Sequence, residues 1–180
     1  MKQEPKLIWQ GPAWRLMSET AVLPDGRIMS ISAIRHPGAV VIIPIQKQAD
    51  QWQILLLNQY RPVINQTIVE LPAGTLEWGE EWLPAAQREL REETGFRAER
   101  LTYLGEFWPV PGSSDECMHF YLAEGLTPDP LPQDEDEQIE TFWMPLQQAI
   151  NMALTGEIKD GKTIIGLIKS ATYLKLIAVP

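Results

Sequence analysis

The chain has 180 residues, 44% of them hydrophobic, which suits one soluble domain with a sizeable core and room for an appendage. Its net charge of −9 speaks against a nucleic-acid polymer as partner, because phosphate backbones are bound through basic surfaces. No apolar run approaches the roughly 20 residues a membrane helix needs, and the N-terminus MKQEPKLIWQGPAW lacks the apolar core and cleavage site of a signal peptide, so a cytoplasmic location with no membrane partner is the default expectation. A single cysteine, Cys117, excludes an intramolecular disulfide framework and reads as a small buried hydrophobe.

In chain order, residues 14–23, 27–35, 39–45 and 52–60 are rich in β-branched and long apolar side chains, are bounded by turn signals, and are expected to be strands. Pro24-Asp25-Gly26 supplies a turn, since proline presets φ and glycine accepts φ > 0, so the first two strands should form a hairpin. His36-Pro37-Gly38 is the expected hinge to the rest, and His36 reads as a turn residue. Residues 39–45, AVVIIPI, are a nearly continuous apolar run that fits a strand buried on both faces. A further strand, 67–71, leads into Pro72-Ala73-Gly74.

Residues 74–96 carry six glutamates. Like charges at i,i+4 repel, so this density calls for something positive. A helix is expected over 82–94, with Pro84 in its first turn and Gly95 as its cap, packing Leu83, Ala86 and Leu90 on a sheet and turning its carboxylates the other way, into a cleft. On that helix Glu89, Glu92 and Glu93 stand three and four residues apart and can converge on one point. Hard divalent cations take oxygen ligands, and Mg²⁺ commonly combines one or two carboxylates with water and substrate phosphates. A magnesium-dependent phosphate site is therefore expected.

Beyond the helix, strands near 101–108 and 118–123 frame the loop 109–116, PVPGSSDE. An acidic run, 134–137, reads as a solvated loop before a short strand at 142–144. Leu146, Ala149, Ile150, Ala153 and Leu154 recur at helical spacing up to Gly156, and Ile164, Ile165, Leu167, Ile168, Ala171 and Leu174 mark a last helix. Strands interleaved with helices imply a mixed sheet covered on both faces.

The pattern Gly74, Glu80, Arg88-Glu89-Leu90, Glu92-Glu93, Gly95-Phe96 resembles the box of the Nudix hydrolase family without departure at any defined position. PVPGSSDE, NQYRPVINQTIVELPAG and GEIKDGKTIIGLIKSA are similar to segments of its ADP-ribose pyrophosphatase group. The resemblance implies a Nudix α/β/α sandwich over 38–180 and an N-terminal β segment, 1–37, exchanged between the subunits of a homodimer and contributing to base binding. It implies Mg²⁺-dependent hydrolysis (Mn²⁺ being the alternative ion) of the pyrophosphate bond of ADP-ribose or a related nucleoside diphosphate sugar. Glu89, Glu92, Glu93 and the Ala73 carbonyl would then hold the metal, Gly74 letting the backbone bend toward it. Glu80 contacts the metal through water or braces the loop, and Arg88 orients a glutamate. Glu116 would be the catalytic base, with Asp115 as competitor. Arg61 would bind the phosphates, Glu70 the terminal sugar or base, and Trp14 would stack the adenine. Another sugar nucleotide or an oxidised purine nucleotide remains an alternative substrate. A module that senses ADP-ribose without cleaving it remains the alternative from another class.

Overall fold

A computed structural model describes residues 4–133 and 138–177, so the acidic run 134–137 lies outside the described residues. Strands β1 (Lys6–Gln10), β2 (Arg15–Val22) and β3 (Ile28–Arg35) form an antiparallel sheet of their own. The expected hairpin is β2–β3, registered from Arg15 opposite Arg35 to Val22 opposite Ile28. Gly26 closes its turn with φ 85°, its N–H donating to the Leu23 carbonyl at 2.8 Å. β1 was not anticipated: its residues KLIWQ are all exposed, so no inward-facing alternation announces it.

The main sheet comprises β4 (Ala39–Gln48), β5 (Gln51–Arg61), β6 (Gln66–Glu70), β7 (Ala73–Thr75), β8 (Phe96–Phe107), β9 (Met118–Pro128) and β10 (Ile139–Pro145). Its order is β10-β5-β4-β9-β8, with β6 beside β5 and β7 beside β4. β4 pairs parallel with β9 and antiparallel with β5, which makes the sheet mixed. The apolar run of β4 is explained by strand alternation. Val40 and Ile42 face helix α1 (Trp82–Thr94), where Ala85, Ala86 and Leu90 meet them. Val41, Ile43 and Ile45 face α2 (Leu146–Thr155) and α3 (Gly161–Tyr173), packing with Leu146, Ile150 and Leu167.

Helix α1 has the expected bounds, and Gly95 caps it in the left-handed conformation with its N–H donating to the Arg91 carbonyl. Its packed face differs from the expectation. Leu83 is half exposed and Ala85 takes its place. The buried stripe 85, 86, 89, 90, 93 follows the i, i+4 ridge, so Glu89 and Glu93 continue the packed face instead of opposing it. Leu154 is likewise exposed, because it falls a hundred degrees from Ala153 around α2.

Helix α3 begins at a cap that also ties it to the sheet. The Asp160 carboxylate accepts from the Thr163 N–H at 2.9 Å and from its hydroxyl at 2.6 Å, while the same hydroxyl accepts from the Leu71 N–H at 2.7 Å. Asp160→Ala is expected to cost about 1–2 kcal/mol, read as a lower denaturant midpoint at unchanged slope. An unchanged midpoint would show that the cap carries no stability.

Candidate active site

The centre of the site is Arg88. Its guanidinium spans the Glu80 carboxylate through Nε and Nη2, each at 3.0 Å, while Nη1 donates at 2.8 Å to both Glu89 and Glu92. The shared charge raises the arginine pKa, chiefly through the Glu80 hydrogen bonds, and the same bonds lower that of Glu80. Glu80 braces the loop before α1, since its carboxylate accepts from the Glu77 N–H at 2.9 Å. One guanidinium thus fixes carboxylates from the loop and from two positions of the helix.

Glu93, only 4% exposed, accepts from the Ala73 N–H at 2.8 Å and fastens the helix to β7. β7 itself is three residues long and was missed in the sequence as too short to show a period. Gly74 follows in it, and a Cβ there would overlap the Glu89 carboxylate. The glycine therefore admits a carboxylate against the backbone, a more specific reason than a bend of the chain. Gly74→Ala is expected to displace Glu89 and lower turnover about tenfold, at a stability cost of about 1–3 kcal/mol. Full activity in that variant would mean the placement of Glu89 is not needed.

These residues open on a cavity of about 630 Å³ lined by Gly74, Glu89, Glu92, Arg88 and, across from them, Arg61. The donor set on the helix side is entirely oxygen, and the room left at Gly74 belongs to a carboxylate, so the residues fit a hard divalent cation. Arg61 brings a second guanidinium to this lining. Arg61 donates to both oxygens of Glu70, at 2.6 and 2.8 Å, and these bonds raise its pKa. Glu70 is 1% exposed beneath Arg61 and is also held by Lys162, which in turn lies 3.1 Å from Asp160. Lys162 and Asp160 were singled out by no local spacing, although the sequence segment GEIKDGKTIIGLIKSA contains both.

Loop 109–116 is stitched to the N-terminal sheet. The Ile34 N–H donates to the Ser113 carbonyl at 2.8 Å, and the Asp115 N–H donates to the Ile34 carbonyl at 3.2 Å. The Asp115 side chain is committed to this join, accepting from Arg35 and from the His36 N–H at 2.9 Å each. Glu116 lies with one oxygen 3.9 Å from His36 Nε2. Of the two competing carboxylates, Asp115 is the one occupied in anchoring. His36 also accepts from the Gly38 N–H, consistent with a turn residue. Trp14 packs on Trp9 with ring centroids 4.5 Å apart, and its neighbour Ala13 reaches the main cavity.

A strand–loop–helix element that gathers three glutamates around one arginine, with a fourth tied to β7, on a mixed sheet covered by helices on both faces, defines an oxygen-rich α/β site. The chain belongs to the Nudix family: the NUDIX domain model matches residues 35–165. It is 38% identical over 171 residues to the ADP-ribose pyrophosphatase of Bacillus subtilis (strain 168), covering 94% of this chain and 89% of that protein. It is 36% identical, with the same coverage, to the methanol dehydrogenase activator of Bacillus methanolicus. A crystal structure of an ADP compounds hydrolase superposes with a TM-score of 0.79 at 20% identity, covering 97% of this chain and 94% of the other, and shows the fold.

Proposed function

We propose that this protein hydrolyses the pyrophosphate bond of ADP-ribose, or of a related nucleoside diphosphate sugar, giving AMP and ribose 5-phosphate from ADP-ribose. The observation that carries this reading is the opposition of an all-oxygen donor cluster and an anchored arginine, Arg61, across one cavity large enough for a nucleotide. The ADP-ribose pyrophosphatase activity named for the Bacillus subtilis relative supports the choice of substrate.

Glu89, Glu92, Glu93 and the Ala73 carbonyl would hold the cation, Mg²⁺ or alternatively Mn²⁺. When bound, such an ion would supply neutralisation of phosphoryl charge. Arg88 keeps Glu89 and Glu92 in place. Arg61 grips the diphosphate with a planar donor fork that stays charged, and Glu70 orients Arg61 from below instead of touching the sugar or base. Glu116 takes the proton of the attacking water, and Arg35 and Asp115 position its loop.

Residues 1–37 serve dimerisation and base binding, and 38–180 form the hydrolase domain. Leu7, Ile8, Val22, Ile28 and Met29 leave apolar side chains exposed on both faces of the N-terminal sheet, which exchange with a second copy would cover, bringing Trp14 to the adenine. Among the described residues no helix is long and apolar enough to cross a membrane, and we assign the protein to the cytoplasm.

The test is phosphate release, through added phosphatase, from ADP-ribose, GDP-mannose, UDP-glucose, NADH and an oxidised guanosine diphosphate with Mg²⁺. Metal-dependent release from ADP-ribose is expected. Turnover confined to another compound would keep the chemistry and overturn the substrate. Tight ADP-ribose binding without release would make the protein a sensor.

A further inference from the structure

We propose that Glu106, Cys117 and His119 form a second divalent-cation site, built for a thiophilic ion of the zinc class and distinct from the glutamates of α1. The β8–β9 register sets Glu106 directly opposite His119. Successive side chains of an extended chain alternate in direction, so Cys117, two residues before His119, projects to the same side. The candidate ligand atoms, one per residue, all lie within 4.8 Å of one another, with His119 Nε2 3.1 Å from Glu106 Oε2.

A zinc ion with bonds of about 2.0–2.3 Å draws such a set together through rotamer adjustments on the order of an ångström. The imidazole is already oriented. It stacks on Trp82 at 3.6 Å with the planes 13° apart, which fixes the direction of Nε2. Gly38, whose Cβ would overlap the Trp82 ring, lets that ring stand where it does.

The ligand chemistry separates this site from the first. A thiolate and an imidazole discriminate for zinc-class ions and against Mg²⁺, which prefers oxygen throughout. Three protein ligands leave the fourth position to water. The location gives the site a consequence. Glu106 and Cys117 stand on either side of the loop that carries Glu116, so an ion bound by both clamps the foot of that loop.

The test is titration of the full-length protein with Co²⁺ in the presence of excess Mg²⁺, followed by absorption spectroscopy and by competition with Zn²⁺. Wild type and Glu93→Gln are both expected to develop a thiolate-to-cobalt charge-transfer band that Zn²⁺ abolishes. Cys117→Ser is expected to lose that band while retaining Mg²⁺-dependent turnover, and His119→Gln to bind Zn²⁺ at least tenfold more weakly. Absence of the band in wild type would overturn the proposal without reference to any variant. Equal Zn²⁺ affinity in wild type and a folded Cys117→Ser would do the same. Loss of the band in a folded Glu93→Gln would mean that the thiolate-bound ion depends on the α1 carboxylates and equally refute a separate second site.

Discussion

Glu93→Gln is expected to lower kcat about a thousandfold, roughly 4 kcal/mol on the barrier, while leaving the protein folded. The amide keeps the shape of the side chain and a carbonyl that accepts from the Ala73 N–H, so the tie between α1 and β7 survives. What disappears is one negative charge among the four carboxylates Glu80, Glu89, Glu92 and Glu93, with Arg88 donating to the first three. In chelator that loss relieves repulsion among the carboxylates but also removes the attraction to Arg61, so the melting temperature should change little. With Mg²⁺ the variant should gain less stability than wild type, because its affinity for the ion is reduced. Retention of more than a tenth of wild-type kcat would remove Glu93 from the metal-binding set.

Glu70→Gln should produce the largest stability loss, about 2–4 kcal/mol, because it takes the charge from a buried carboxylate held by two cations. Lys162 would keep Asp160 as a partner, which limits the damage. Arg61 would lose its bidentate brace, and KM should rise about tenfold with a smaller change in kcat. The pH dependence separates this role from simple packing. Burial pushes the Glu70 carboxyl up, yet the hydrogen bonds and charges of Arg61 and Lys162 together outweigh it, so its pKa lies below the ordinary value of 4.5. A carboxylate with a depressed folded-state pKa stabilises fully above the unfolded value and ceases to do so as pH falls through the folded one. The stability gap between wild type and Glu70→Gln should therefore be constant above pH 4.5 and shrink on further acidification. A gap that does not narrow would mean the carboxylate charge is not what holds this wall.

The parts of this account legible in the sequence are those with local causes. Helix α1 was readable to its end residues because Pro84 suits its first turn and Gly95 supplies a left-handed cap. The strand β4 was readable because both of its faces are covered, which makes the run apolar without interruption. Local spacing misassigned Leu83, since the phase of a helix against its sheet is set by the partner strands and Ala85 fits closer to Val40 and Ile42. It placed the carboxylates opposite the core, whereas Gly74 makes room for Glu89 on the packed side.

The remaining features depend on residues far apart in the chain. Lys162 reaches Glu70 across 92 positions, and Arg35 meets Asp115 across 80. No period or motif in either neighbourhood encodes such a meeting. Cys117 read as an inert small hydrophobe because its partners, Glu106 and His119, are brought to it only by the β8–β9 pairing.

The most direct measurement is the incubation of wild-type protein with ADP-ribose in heavy-oxygen water, with and without Mg²⁺, and identification of the products by mass spectrometry. The account predicts AMP and ribose 5-phosphate in equal amounts, one of them carrying a single heavy oxygen, formed only when the cation is present. Recovery of intact ADP-ribose from a protein that binds it tightly would contradict the account.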